Sequence, residues 1–133
     1  MNAELISNFI ERLIHETISG ARTWYSLYPV SEDKNRSLYY ALFETEWHHV
    51  RPDRSFMLPF EQGNIYLISE TFESGRDGTV FDGLNLYVQP STADELTLIM
   101  HDGVALYRLS NAILDTLNLP DVTVSFIQDF LDS

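Results

Sequence analysis

The sequence predicts a single α+β domain, residues 1–133, in which an antiparallel sheet carries helices on one face. The middle of the chain holds four short runs rich in aromatic and branched residues, separated by turn formers. The connections between these runs are too short for the crossover helix that parallel strands need, so neighbouring strands should be antiparallel. Before and after this region, apolar residues recur every three or four positions, which is typical of amphipathic helices.

The four runs predict a meander of neighbouring strands. In the third run Leu84, Leu86 and Val88 alternate with polar residues, the period of two expected of a sheet with one buried face. Pro59 has no amide proton for a ladder, so the first run should lie at an edge or a bulge. The predicted strands cover residues 56–60, 65–68 with a continuation towards 72, 84–88 and 96–100.

Residues 5–18 are predicted to form a helix that covers the apolar face of this sheet. Asn2 can cap its start and Gly20 can adopt the left-handed conformation common after a helix. Part of the stripe could instead form a dimer seam. The apolar stripe consists of Leu5, Ile6, Phe9, Ile10, Leu13, Ile14 and Ile18.

The segment that follows is less regular. Aromatic residues at 23–28 favour a strand that Pro29 ends. Residues 32–43 fit either a short helix, the preferred interpretation, or a buried strand, because short apolar runs do not distinguish the two. Residues 44–50 have the composition of a further strand, which brings the sheet to about five or six strands.

Two helices are predicted after the meander, and with the first helix they should cover one face of the sheet. One begins near Gly103 and ends before Pro120, and Asp121 is expected to cap the other. The apolar face of the last helix is made of Val122, Phe126, Ile127, Phe130 and Leu131.

Composition and charge restrict the function. The chain has no cysteine, which excludes a disulfide framework and thiol chemistry, and neither a signal peptide nor a run of ~20 apolar residues is seen, so a cytoplasmic location is expected. The net charge is −12, and after residue 73 the basic residues are Arg76 and Arg108 against nine acidic ones. This distribution argues against binding to nucleic acid or membranes and favours a basic protein partner.

Phosphate loops, dinucleotide-binding turns, nucleophile elbows and zinc helices are absent from the sequence. The best remaining constellation is Glu44, Glu46 and His48, with His49 as a further member. On a strand, Glu46 and His48 lie ~6.5–7 Å apart along one face. A metal-dependent hydrolase could use this pair with a third ligand from His15 or from the His101-Asp102 pair. The alternative is an exposed polar sheet face, with no metal or cofactor.

His101 and Arg108 are two further candidate functional residues. His101 beside Asp102 can be a catalytic base with its orienter, or Asp102 and Gly103 can simply form the turn into the next helix. Arg108 can hold a carboxylate ligand, or it can pair with Asp102 or Asp115.

The aromatic residues complete the functional predictions. Tyr39, Tyr40 and Trp47 are candidate interaction residues, because such side chains provide large contact areas with a polar group. Trp24, Trp47 and Tyr66 could instead line the pocket of a small-ligand carrier. The preferred hypothesis is a non-enzymatic acidic interaction module of the inhibitor, immunity or regulator kind, with a homodimer as a further possibility; a small hydrolase and a carrier are the alternatives.

Overall fold

The computed structural model describes residues 2–27, 48–73, 75–93, 95–117 and 119–133, with the backbone alone at His48 and Phe81. It contains an N-terminal helix, a six-stranded antiparallel sheet and two further helices, which confirms the predicted fold class. The segment 32–43, predicted as helix or strand, lies outside the described residues, as does most of the predicted strand 44–50. The described helices are α1 (Ala3–Ile18), α2 (Val104–Thr116) and α3 (Asp121–Leu131), and the strands are β1 (Tyr25–Ser26), β2 (His48–Val50), β3 (Phe56–Phe60), β4 (Gly63–Glu73), β5 (Val80–Pro90) and β6 (Thr97–His101).

The strand order is β1-β3-β4-β5-β6, and β2 also pairs with β4. Strands β3 to β6 therefore form the predicted meander. Pro59 pairs with Asn64 of β4 but lies beyond the short ladder with β1, so one side of β3 is an edge there, as predicted. Gly63, the first residue of β4, has a φ of 145°, and a Cβ atom there would lie 2.2 Å from the Gln89 carbonyl oxygen. Only glycine fits this close approach.

Strands β2 and β3 follow each other along the same edge of β4. Val50 pairs with Glu70 and Phe56 with Leu67, so residues 51–55 bulge out opposite two residues of β4. The bulge contains a 3-10 turn, Pro52–Arg54. Its position is fixed by backbone and side-chain hydrogen bonds to β4, which are described with the pocket that it borders.

Helices α1 and α2 pack on one face of the sheet. Leu84 and Leu86 of β5 join the core there, together with Ile10 and Leu13 of α1. Val88 packs against the same cluster. The predicted orientation of the third run and the predicted cover by residues 5–18 are both confirmed.

The ends of α1 also agree with the prediction. Asn2 Oδ1 accepts a hydrogen bond from the Leu5 amide at 3.1 Å, and Gly20 has a φ of 79°. Beyond the helix, the buried Trp24 Nε1 donates to Thr17 Oγ1 at 2.9 Å. This hydrogen bond satisfies an indole N–H that would otherwise be buried without a partner.

The opposite face of the sheet is buried as well. Its apolar cluster contains Leu27, Val50, Tyr66 and Ile68. Asn85, which the alternation of β5 assigns to the polar side, is only 1% exposed. Polar residues on this face are therefore enclosed, and they must find hydrogen-bond partners within the protein.

The last helix differs from its predicted packing on the sheet. None of the residues of α3 is buried, and Val122, Phe126 and Phe130 are 78%, 71% and 71% exposed. Within the described residues, the core cluster on the helix-covered face draws its helical members from α1 and α2. The predicted packing of α3 on the sheet is therefore wrong, and its apolar side faces solvent. Asp121 is the first helical residue, and Pro120 occupies the cap position.

Candidate functional site

A chain of polar side chains crosses three neighbouring strands on the second face of the sheet. Alternation along β4 directs Glu70 to this face. Asn85 and Tyr87 of β5 share the face, and the pairing of Asn85 with His101 brings in β6. The chain runs from the fully buried Glu70 at 0% exposure to His101, which is exposed.

The carboxylate of Glu70 is held by donors from β5. Asn85 Nδ2 donates a hydrogen bond to Glu70 Oε2, and the Tyr87 hydroxyl lies 3.0 Å from each carboxylate oxygen. A buried carboxylate needs such donors, because it has left the water that would solvate it. Burial, reinforced by the negative charge of Glu70, raises the pKa of the Tyr87 phenol. Tyr87 therefore stays a neutral donor over the physiological pH range.

His101 is positioned by the other end of the same amide. Its Nδ1 atom lies 2.5 Å from Asn85 Oδ1. Since Asn85 uses its Nδ2 on Glu70, its Oδ1 accepts and His101 Nδ1 donates, which in the neutral ring leaves Nε2 as the acceptor. The Phe72 ring packs edge-on against the imidazole, with 6.4 Å between the ring centroids. Gly83 lies beside the imidazole as well, since a Cβ atom there would be 3.3 Å from His101 Cε1. The ring thus has one preferred orientation.

Asp102 does not orient His101, although it follows it in sequence. Its carboxylate accepts hydrogen bonds from the Leu84 amide at 3.3 Å and from the Tyr107 hydroxyl. The Tyr107 hydrogen bond is the main reason that the pKa of Asp102 lies below its usual value. Asp102 has a φ of 50° and leads into α2 at Gly103, so it forms the predicted turn. The orienter is Asn85, which sequence spacing alone did not identify.

The predicted metal site is not assembled by the described residues. Glu44 and Glu46 lie outside them, and only the backbone of His48 is described, paired with Phe72. His49 is exposed on β2 and pairs with Thr71. His15 is on α1, which covers the face of the sheet opposite to His101. Within the described ranges, no three His, Asp or Glu side chains are grouped so that they could hold a metal ion.

The predicted pairing of Arg108 with Asp102 or Asp115 is wrong, because Arg108 pairs with Glu11. Its guanidinium contacts both carboxylate oxygens of Glu11 on α1, at 2.6 and 3.2 Å. The contact arises because α1 and α2 pack side by side, which joins residues 97 positions apart in the sequence. Arg108 therefore forms an ion pair that links α2 to α1.

The aromatic predictions have mixed outcomes. Tyr39, Tyr40 and Trp47 lie outside the described residues. Trp24 belongs to the core cluster under the helices, whereas Tyr66 belongs to the cluster on the opposite face. The two side chains are separated by the sheet, so they cannot line one carrier pocket.

The exposed apolar side of α3 is a second candidate site, which we call the α3 surface. Val122, Phe126 and Phe130 are spaced by four residues and form one stripe along the helix. Carboxylates at both ends of the helix and on its flank accompany the stripe, and residues 109–133 contain no lysine or arginine. The α3 surface consists of Val122, Phe126, Ile127, Phe130 and Leu131 with Asp121, Asp129 and Asp132.

These features define an α+β protein with a buried polar chain on one sheet face and an amphipathic helix left exposed. Comparison of the chain with protein families, with curated proteins and with solved structures finds no match. None of the helices in the described part of the chain has the length and apolar character needed to cross a bilayer.

Proposed function

We propose that the protein is a non-enzymatic acidic interaction module that binds a basic protein partner, as inhibitors and immunity proteins do. The observation that carries the proposal is the exposure of the α3 surface. Both the apolar stripe and the charges around it favour this function.

The apolar stripe supports a binding role. Soluble proteins rarely leave several large apolar side chains exposed side by side, and such patches commonly mark contact surfaces. Phe126 and Phe130 are both 71% exposed and lie one helical turn apart. Apolar residues at this spacing are the anchors by which an amphipathic helix enters the groove of a partner protein.

The negative charge on and around α3 indicates which kind of partner can bind. Residues 109–133 carry four aspartates and no cation, within a chain of net charge −12. Nucleic acids and anionic lipid surfaces are repelled by such a field. A second copy of the chain brings the same negative charge, so self-association through α3 is disfavoured. A protein with an apolar groove and a basic rim is favoured by both features.

Photo-crosslinking in the source cells, followed by purified binding, tests the proposal. A photoreactive residue replaces Phe130 in one variant and the exposed Gln62, in the turn between β3 and β4, in the other. Proteins crosslinked only from position 130 are purified and titrated against the wild-type protein. We expect a basic partner whose affinity falls as salt rises, because charged contacts are screened.

Matched substitutions complete this test. Phe126→Ser should weaken binding about tenfold or more, as expected when an anchor side chain is removed. Phe60→Ser changes an exposed phenylalanine on β3 and should leave binding unchanged. Equal crosslinking from positions 62 and 130, or equal affinity of both variants, would overturn the proposal. So would a dimer in sedimentation analysis that Phe126→Ser abolishes.

A second candidate is a small enzyme that uses His101 as a general base, and the Glu70–Asn85–His101 chain favours it. A buried carboxylate and an amide orient the imidazole, and the histidine itself is exposed to solvent. The test compares wild-type protein with His101→Gln in metabolite extracts analysed by mass spectrometry. Consumption of a compound by the wild type alone supports this function, and identical extracts count against it.

A further inference from the structure

A pocket of about 580 Å³, lined in part by charged side chains, lies where the 3-10 turn meets β4, β5 and α2. It is separate from the α3 surface. Its charged lining consists of Arg51, Asp53, Arg54 and Asp82, and the buried Phe56 contributes an apolar wall. Volumes of roughly 300–1,000 Å³ are typical of small-molecule sites.

The two arginines of the pocket are less engaged than Arg108 on α2. Arg108 makes a bidentate contact with Glu11, whereas Arg51 reaches a single oxygen of Asp82, at 3.5 Å. The Arg54 side chain makes no hydrogen bond or ion pair within the described parts of the chain. Guanidinium groups bind carboxylates in a planar, two-pronged geometry, so this pair is suited to an incoming carboxylate.

Two carboxylates lie in the same pocket. Asp82 Oδ1 accepts a hydrogen bond from Thr71 at 2.9 Å and contacts Arg51, which leaves Oδ2 without a hydrogen bond from the described residues. Asp53 is exposed and makes no ion pair with them either. The formal charges of Arg51, Arg54, Asp53 and Asp82 sum to zero. A dianion would be repelled by the aspartates, whereas a zwitterion can satisfy both signs.

The turn that carries the arginines is held firmly. The Ser55 hydroxyl is buried, donates to the Arg51 carbonyl at 2.7 Å and accepts from the Ser69 amide at 3.0 Å. The Arg51 amide donates to the Ser69 carbonyl at 2.8 Å. Pro52 restricts the backbone at the start of the turn. A site fixed before the ligand arrives loses less entropy on binding.

We propose that this pocket binds a small zwitterion, the class of free amino acids and short peptides. The ligand carboxylate contacts Arg51 and Arg54, and its ammonium group contacts Asp53 and Asp82. An apolar side chain of the ligand packs towards Phe56. This site shares no residue with the α3 surface. A negative result for one proposal therefore leaves the other unaffected.

Amide chemical shifts measured by NMR during titration test the proposal. The probe is alanyl-phenylalanine with both ends free, compared with its N-acetyl, C-amide and doubly blocked forms. We expect the free dipeptide to shift the amides of residues 51–55, 69 and 82–84, and each blocked end to weaken binding about tenfold. Equal binding of the N-acetyl form, or no shifts in these residues with the free dipeptide, would overturn the proposal.

Substitutions give a second test. Arg54→Gln should weaken binding of the free dipeptide about tenfold or more, because a charge-assisted contact is lost. Arg12→Gln removes an exposed arginine on α1, outside the pocket, and should have no effect. Equal affinity of the two variants would overturn the proposal. The four-probe comparison uses the wild-type protein, so it is decisive even if a variant misfolds.

Discussion

His101 Nδ1 lies 2.5 Å from Asn85 Oδ1, so an exposed imidazole on β6 is oriented by a buried amide on β5. The Nδ2 atom of the same amide donates to Glu70 on β4. Asn85 thus links three strands and satisfies two titratable side chains with one acceptor and one donor. No other residue type of this size supplies both groups on a planar fork. The stability of the second sheet face should depend on it.

Replacing Asn85 by leucine tests this dependence. Leucine has a similar volume but neither donor nor acceptor, so Glu70 and His101 each lose a partner. We expect the free energy of unfolding to fall by about 3 kcal/mol, measured by urea denaturation. Asn111→Leu is the matched control, because Asn111 is exposed on α2, and its effect should stay within about 0.5 kcal/mol. Equal midpoints for Asn85→Leu and wild type would contradict this account of the chain.

Tyr87→Phe tests the second donor to Glu70. We expect a loss of about 1 kcal/mol at neutral pH, since the half-buried phenol donates to a carboxylate. The pKa of Tyr87 is raised in the folded protein by burial and by Glu70. The stabilisation is therefore complete below the unfolded pKa of about 10 and is lost as pH rises above it. Denaturation at several pH values should show the gap between wild type and variant closing in alkaline solution. A stability difference between wild type and Tyr87→Phe that stays constant up to the highest pH at which the protein folds would contradict the prediction.

The helix-covered half of the fold could be predicted from the sequence, because its signals are local. The stripe of α1 and the alternation of Leu84, Leu86 and Val88 each occur within one element, and the packing that they predict is confirmed. The cap at Asn2 and the left-handed Gly20 are equally local features. Periodicity identifies the buried face of one element directly.

The polar chain could not be predicted in the same way, because it depends on register between strands. Glu70 follows the apolar run of β4 and resembles the polar end of a strand. Alternation does assign it to the side of Tyr66 and Ile68, a signal that could have been used. Its burial, however, requires that this second face be covered, and its contact with Asn85 requires the pairing of β4 with β5. The Glu11–Arg108 pair was missed for the same reason, since helix packing brings the two residues together.

The hydrogen bond between Thr17 and Trp24 gives a prediction for the other face. Thr17→Val keeps the shape of the side chain but leaves the buried Trp24 N–H without its acceptor. We expect a loss of about 2 kcal/mol in unfolding free energy, because the buried N–H has lost its hydration and finds no acceptor in the variant. Thermal unfolding monitored by tryptophan fluorescence measures it, with the exposed Thr116→Val as the control. Similar stabilities of the two variants would show that the hydrogen bond contributes little.

The ion pair between Glu11 and Arg108 should depend on pH and salt. The hydrogen bond from Arg108 holds the pKa of Glu11 below its usual value. The pair therefore stabilises the fold above the unfolded pKa, and this contribution is lost as pH falls through the lowered folded value. Glu11→Gln should lower Tm slightly at neutral pH, with the difference vanishing in acid and in high salt. Glu61→Gln serves as the control, because Glu61 is exposed and makes no ion pair with the described residues. A Tm difference for Glu11→Gln that is insensitive to both conditions would contradict the prediction.

The exposure of α3 predicts fast hydrogen exchange in the free protein. The helix has 11 residues and buries none of them, and isolated helices shorter than about 12–15 residues are marginal in water. Exchange measured by mass spectrometry at low protein concentration should leave residues 121–131 almost unprotected. Amides near Ile10 and Leu13 of α1 should be strongly protected, because their side chains belong to the core. If α3 were as protected as α1, packing within the free protein would have to stabilise it, and its apolar stripe would no longer be available to a partner.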